Sequence, residues 1–442
     1  MAMMHVEPMS PLTRMADGTI KQINPFSGTQ VWTIPGRANR PLGVIPDDPA
    51  PIDTEKTGRH CAFCERRILE TPPEKSRLVV TGEKANIETS TGVDDLSGPW
   101  EFRRIPNLFE ILSFSYWEYN YGYQLPPEAV SRRDSYLSDP AGKAHVLGVL
   151  KAKHLAAGGR EESWEQLSEA DRLAGVDAFF GGGHDVIVGR RHFVDGATND
   201  AQLASSGTLT PAEHEWYMRL AVDAMRDLYR TNRYAKYVQV FQNWLRPAGA
   251  SFDHLHKQLV AIDQRSANAE FEVAKVRANP NIFNELAVDY AGYHNLVIAE
   301  NKHAVAFAGF GHRYPTLEVY SKSAEPRPWK QSPEEQRCMS DLVHAMHVAT
   351  GPAIPTNEEW HHRPIDLDIP TPWRILIKWR VSTLAGFEGG TKIYVNTIDP
   401  WSLRDRVVPR LLEARAEGRI APINIATECS CKVNSLKYNP YL

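Results

Sequence analysis

The sequence predicts an α+β protein made of two sheet-plus-helix units of similar layout, the product of an internal duplication, with a helical insertion in the first. Three observations carry this. Short strand-like segments recur between Pro/Gly turns along most of the chain. One helix start occurs twice: Thr210-Pro211-Ala212-Glu213 precedes EWYMRLAVDAMRDLY, and Ser332-Pro333-Glu334-Glu335 precedes QRCMSDLVHAMHVATG. Each has a capping hydroxyl, Pro in the first turn and Glu placed for a capping box. Residues 125–180, by contrast, have helical spacing and much charge.

Taken in order, IKQI and TQVWTI read as strands joined by the NPFSG turn, and a Pro- and Asp-rich loop leads to CAFC at 61–64. FRRIPNLFEILS is a strand running into a loop. After the insertion, HDVIVGRRHFV is a strand and its exit, the first capped helix follows, and KYVQVFQNW and SFDHLHKQLVAID complete the unit. HNLVIAE, HAVAFAG and PTLEVYSKS open the second unit, the second capped helix follows, and PWRILIKWRV is its last long strand.

The composition excludes several classes of function. Of 442 residues, 42% are hydrophobic and 24% charged, with a net charge of −4, so the basic excess of a general nucleic-acid binder is missing. No apolar run is long enough to cross a bilayer, and the first residues have no apolar core of the secretory kind. Five cysteines are too few for a disulfide scaffold in a chain this long. The expectation is a reduced, cytoplasmic protein that binds neither membrane nor nucleic acid.

Two segments concentrate chemistry. Cys61-x-x-Cys64 places two thiolates close enough to grip one ion, half of a tetrahedral zinc site; a redox pair is the competing reading, but the thioredoxin-like βαβ around it is missing. His192 and His254 are the best further ligands, with His60 and His184 as runners-up. In HLHKQ, strand alternation sends His254, His256 and Gln258 to one face and Leu255 and Lys257 to the other. A neutral imidazole is a good nucleophile towards phosphorus, and a carboxamide can donate to a phosphoryl oxygen. Upstream, Asn243, Gly249 and Ser251 suit close approach to a phosphate, and Arg37 and Arg40 form a candidate fork for an anion.

In chain order, NPFSGTQVWTIPGRANRP, CAFC, RRIPNLFEILS, GGGHDVIVGRRH, VQVFQNWLRPAGASFDHLHKQ and LAGFEGGTKIYVN resemble the motifs of the galactose-1-phosphate uridylyltransferase family, of the histidine-triad superfamily. The resemblance covers most of residues 23–415 outside the insertion, and the chain also looks like an actinobacterial branch of unassigned function. It implies two histidine-triad-like half-domains, antiparallel sheets with packed helices: residues 20–263 with the zinc site and the insertion (about 125–180), residues 264–420, and a tail at 421–442.

Carried over, the resemblance makes His256 the nucleophile and Gln258 its phosphate partner. Cys61, Cys64, His192 and His254 become ligands to Zn2+. Arg37, Arg40, Asn107, Asn243, Gly249 and Ser251 would line nucleotide phosphate and ribose, and Phe387 and Glu388 would meet the sugar at a site completed by the neighbouring subunit of a homodimer. The implied reaction is ping-pong exchange of a nucleoside monophosphate group between a nucleotide sugar and a sugar phosphate, as in galactose metabolism. A phosphorylase using inorganic phosphate is the close alternative. A non-catalytic, zinc-stabilised nucleotide-binding protein is the alternative of another class.

The departures matter as well. Leu255 and Lys257 stand where many relatives have Pro and a small residue. PWRILIKWRV lacks the His-x-His of a second metal, so none is expected. Tyr394 stands where the uridylyltransferases carry a sugar-reading Gln, and Ser382 near a phosphate-binding Lys, so the sugar and the base are left open.

Overall fold

The computed structural model describes residues 10–35, 48–82, 84–89 and 92–442. Strands β1 (Leu12–Arg14), β2 (Ile20–Ile23) and β3 (Gln30–Thr33) come first, followed by β4 (Ser76–Thr81), β5 (Lys84–Thr89) and β6 (Phe102–Pro106). Then come helices α1 (Phe114–Tyr121), α2 (Pro127–Ser138), α3 (Pro140–Ala156), α4 (Glu161–Glu165), α5 (Glu169–Arg172) and α6 (Asp177–Gly181). Strand β7 (His184–Gly189), helix α7 (Pro211–Thr231) and strands β8 (Tyr237–Trp244) and β9 (His256–Ile262) close the first half. Helices α8 (Ala267–Ala278) and α9 (Asp289–Tyr293) lead to β10 (Val297–Glu300), β11 (Ala304–Ala308), β12 (Thr316–Ser321), α10 (Pro333–Thr350), β13 (Thr356–His361) and β14 (Arg374–Trp379). Last come α11 (Gly386–Thr391), β15 (Ile393–Asn396), α12 (Pro400–Ala416) and β16 (Asn424–Ile425).

Twelve strands form one sheet in the order β16-β10-β11-β12-β14-β13-β8-β9-β7-β6-β4-β5. The order reads alike from its centre outwards: β8-β9-β7-β6 on one side is matched by β13-β14-β12-β11 on the other. The connections β7-α7-β8-β9 and β12-α10-β13-β14 repeat as well, so the duplication is visible in the topology. The halves join where β8 and β13 pair antiparallel, with Asn243 opposite Asn357. The small sheet β1-β2-β3-β15 joins the first three strands to one from the second half, β15 running parallel to β3.

Both capped helices begin as the sequence predicts. Glu213 N–H donates to the Thr210 hydroxyl, and the Glu213 carboxylate accepts from Thr210 N–H at 2.8 Å; Ser332 and Glu335 repeat this at α10. Such a cap is worth about 1 kcal/mol. Helices α7 and α10 pack on one face of the sheet, where Val240, Leu259, Leu317, Ile375 and Ile377 are fully buried against residues such as Met225 and Leu342. The apolar periodicity of 3.6 on the helices and of 2 on the strands meets there. The opposite face carries the polar residues that build the site beside a small apolar cluster of Phe63, Ile105, Val186 and Val188. Helices α2 to α6 carry a core of their own around Val146, Val149, Trp164 and Phe179. No described helix is long and apolar enough to cross a membrane.

Candidate active site and metal centre

The CAFC turn is closed by Cys64 N–H donating to the Cys61 carbonyl at 3.1 Å, and this brings both sulfurs to one side. They meet His192, from the loop after β7, and His254, from the bend before β9. The two sulfurs are 3.8 Å apart and the two Nδ1 atoms 3.2 Å apart. The four sulfur-to-nitrogen separations are 3.5, 3.4, 3.5 and 3.8 Å. A tetrahedral ion with bonds of about 2.3 Å to sulfur and about 2.0 Å to nitrogen requires edges of about 3.8 Å (S–S), 3.5 Å (S–N) and 3.3 Å (N–N). The six edges fit, and these four residues could hold a metal ion. His254 Nε2–H donates to the Gly189 carbonyl at 2.6 Å, which fixes the tautomer that frees Nδ1 as a ligand. His60 lies tilted beside His192, with ring centroids 5.4 Å apart, outside the four donors.

The strand begins at His256, so His254 precedes it where sequence alternation places both on the strand. The bend has a purpose: it turns the His254 ring into the metal cluster while its carbonyl accepts from His256 Nδ1–H at 2.7 Å. That bond commits one nitrogen and leaves the Nε2 lone pair free. His256 is only 4% exposed, beneath Phe63, whose ring centroid is 5.4 Å away. Burial pushes its pKa below the ordinary imidazole value, so the ring is neutral near pH 7.

Gln258 follows on the same face. Its Oε1 accepts from His184 Nε2 at 3.0 Å and from Asn107 Nδ2 at 3.4 Å. The donor assignment at His184 follows from its other nitrogen, which accepts from Ile111 N–H at 3.2 Å. With its oxygen taken, Gln258 has its NH2 group left to donate to a ligand. The sequence reading ranks His184 as a runner-up metal ligand; the structure places it instead as the residue that orients Gln258. The signal was present in register: β7 pairs antiparallel with β9, Val186 lies opposite Gln258, and His184 shares that face.

Lys257 turns to the other face, as alternation requires, and there it is buried. Its ammonium pairs with Glu358 of β13, which also accepts from His347 Nε2 at 2.7 Å and Trp360 Nε1 at 2.5 Å. The rings of Tyr217 and Trp360 flank it at 5.0 and 5.3 Å. A cation from the first half is thus neutralised by a carboxylate from the second, directly behind the candidate site.

Asn243 accepts from Asn357 Nδ2 at 2.7 Å and donates to the Gly249 carbonyl at 3.5 Å, which ties the β8–β9 loop to β13. Gly249 has φ +89, a left-handed conformation that suits glycine, and Ser251 is exposed in the same loop. Phe387 and Glu388 are not brought to His256. They lie on α11, where Phe387 packs against Trp32 and Glu388 accepts from the backbone N–H groups of Ala385 and Val395. Arg37 and Arg40 lie outside the described residues.

A family model described as a domain of unknown function (DUF4921) matches residues 15–438. No curated protein matches the sequence. Among solved structures, the chain is similar to an ADP-glucose phosphorylase from Arabidopsis thaliana with bound ADP-glucose. Identity is 18%, the match covers 88% of this chain and 98% of that one, and the TM-score is 0.57. It is also similar to a galt-like protein from Arabidopsis thaliana, at 17% identity over 88% of this chain and 98% of that one, with a TM-score of 0.56. At these identities the likeness is one of fold, and the two-half architecture expected from the motifs is the one found.

Proposed function

We propose, from the premise that the chain belongs to the family described as a domain of unknown function (DUF4921), that it is a nucleotidyltransferase working through a covalent nucleotidyl-histidine. The observation that carries this reading is the state of His256: Nδ1–H is committed to the His254 carbonyl, and burial keeps the ring neutral with Nε2 as nucleophile. In the first half-reaction Nε2 attacks the α-phosphorus of a nucleotide sugar, the bond from phosphorus to the bridging oxygen breaks, and a sugar 1-phosphate leaves. In the second, a phosphate oxygen of the acceptor attacks the same phosphorus, the N–P bond breaks, and the imidazole recovers its lone pair. The Gln258 NH2 group donates to a non-bridging phosphoryl oxygen, and the charge that develops there is where such a donor helps most.

Asn107, Asn243, Gly249 and Ser251 are assigned to the nucleotide phosphate and ribose, with Arg37 and Arg40 as the anion fork. Phe387 and Glu388 are assigned to the sugar of a neighbouring subunit's site in a homodimer, which accords with their distance from His256 within one chain. We take the halves as residues 20–263, with the insertion at about 125–180, and 264–420, followed by the tail at 421–442. The metal is assigned as zinc with a structural role: it would lock the CAFC turn and the β7 exit to the residue two before the nucleophile. Purified protein is expected to hold about one zinc per chain, and Cys61→Ser to lower both metal content and melting temperature. Metal analysis finding no zinc in untreated protein would refute this assignment.

The likeness to an ADP-glucose phosphorylase favours a second reading, in which inorganic phosphate is the acceptor. One experiment addresses both. The protein is incubated with ADP-glucose or UDP-glucose, examined by intact mass for an acid-labile nucleotidyl adduct, and then offered inorganic phosphate, glucose 1-phosphate or galactose 1-phosphate. An adduct discharged by a sugar phosphate supports the transferase, and one discharged by phosphate alone supports the phosphorylase. No adduct with any nucleotide sugar tested, from protein of full metal content, sinks both.

Gln258 also bears on the fate of the intermediate. An imidazole at that position can handle the proton of an attacking water, which a carboxamide cannot. Gln258→His is therefore expected to raise hydrolysis relative to transfer, read as the ratio of free nucleoside monophosphate to exchanged product. An unchanged ratio would show that Gln258 does not set this partition.

A further inference from the structure

We propose that the cavity between the helical insertion and the body is a second ligand site, one that binds a phosphate monoester. The cavity, of about 500 Å³, opens where α2 meets β4, β6, α6 and α7. Five cationic side chains line it: Lys75, Arg104, Arg132, Arg226 and Arg230. Four of them have carboxylate partners. Lys75 and Arg104 each lie 2.6 Å from Asp185, and Arg104 reaches Asp227 at 2.8 Å. Arg226 pairs with Asp223, and Arg230 lies 3.1 Å from Asp227 and 3.4 Å from Glu128.

Arg132 is the exception. Its one hydrogen bond runs from Nη1–H to the Lys75 carbonyl at 3.2 Å, and its Nε and Nη2 are buried with no partner among the described residues. One face of its guanidinium lies over the Phe180 ring, 5.2 Å from the centroid. Burial, reinforced by the charge of Arg104, pushes its pKa down to about 10, so it keeps its charge at neutral pH. Ser76, 1% exposed and on the same wall, also has a hydroxyl with no partner among the described residues. A mostly buried guanidinium with no counter-charge is costly unless something brings one.

The charge count sets the sign of the ligand. Five cations face four carboxylates (Asp185, Asp223, Asp227 and Glu128), which leaves one positive charge unmatched. Geometry narrows the class. The Arg226 and Arg230 side chains are 61% and 62% exposed, so both forks are free to turn from their acidic neighbours towards a bound anion. Several guanidinium forks and a hydroxyl suit a tetrahedral oxyanion with several acceptor oxygens better than a carboxylate with two. The volume greatly exceeds that of inorganic phosphate, and Pro126, Ala129 and Phe180 offer an apolar wall for an organic group. Alternation on β7 sends Asp185, and with it Lys75 and Arg104, to the face opposite His184 and Gln258. The cavity is therefore separate from the candidate catalytic face and independent of the reaction assigned to it.

Because the catalytic face also binds phosphates under the proposed reaction, the test needs a local readout. Hydrogen exchange followed by mass spectrometry is measured on the full chain with AMP, glucose 1-phosphate and inorganic phosphate, each titrated separately. At least one of the two monoesters is expected to slow exchange across residues 127–138 and 223–231. Arg132→Met is expected to weaken that protection about ten-fold or more, as loss of a charged hydrogen-bonding partner does. Arg230→Ala, on the exposed rim where it poses no threat to folding, is expected to weaken it several-fold and decides the matter if Arg132→Met does not fold. Protection confined to the segments around His256, or protection of 127–138 unchanged in these variants, overturns the site. Inorganic phosphate binding as tightly as both monoesters overturns the class.

Discussion

His256→Ala is expected to abolish nucleotidyl exchange, with a loss of at least about 10⁴-fold and no covalent adduct by intact mass. The size follows from the geometry: within reach of the same phosphorus, Gln258 and Asn107 offer only carboxamides, and His184 has both nitrogens engaged. The fold is expected to survive. The imidazole's one hydrogen bond among the described residues is to the His254 carbonyl, and the four side chains that could hold a metal are untouched. Because His256 is almost wholly buried, the truncation leaves a small cavity beneath Phe63, so a modest fall in melting temperature is expected beside the loss of activity. Metal content serves as the control. A variant with undiminished metal content and near wild-type turnover would remove His256 from the mechanism.

Glu358→Gln is expected to be the most destabilising of the substitutions considered, by about 3–5 kcal/mol, because it strands the buried Lys257 ammonium between two aromatic rings. Lys257→Met is expected to cost less. It leaves Glu358 its hydrogen-bond donors His347 and Trp360. The double variant should then recover part of the Glu358→Gln loss, since it removes the charge that the single change leaves unpaired. Urea midpoints of the four proteins test this, and simple additivity would show that the pair is not coupled. Folded Lys257→Met is expected to form the nucleotidyl adduct, since the side chain lies on the face away from His256.

The four side chains that could hold a metal were legible because thiolates and imidazoles are rare, costly to bury and bound to a few spacings. CxxC announces itself, His254 stands in HLHKQ, and His192 was the histidine at the exit of the HDVIV strand. The bend at His254 was not legible. Period-2 alternation describes a strand once formed and does not say where it begins, and here the His254–His256 hydrogen bond and the metal cluster set the start. His184 was given the wrong role for a related reason: the sequence offers it only as a runner-up metal ligand, until strand pairing places it beside Gln258.

Properties that depend on neighbours along the chain were set by the sequence itself. They include the caps of α7 and α10, the repeated strand–helix grammar, the sidedness of Lys257 and the paired thiols at 61 and 64. Each follows from local sterics and hydrogen bonding over a few residues, which folding cannot easily override. Tertiary structure alone decided which side chains separated by a hundred residues or more would meet. It paired Lys257 with Glu358 across the junction of the halves, left Arg132 without an acid partner among the described residues, and kept Phe387 and Glu388 on α11, with Phe387 packed against Trp32 of the small sheet. The physical reason is that strand register and the packing of helices against a sheet are set by the sum of many weak apolar contacts over the whole core. A charged residue takes its partner from wherever that packing carries it.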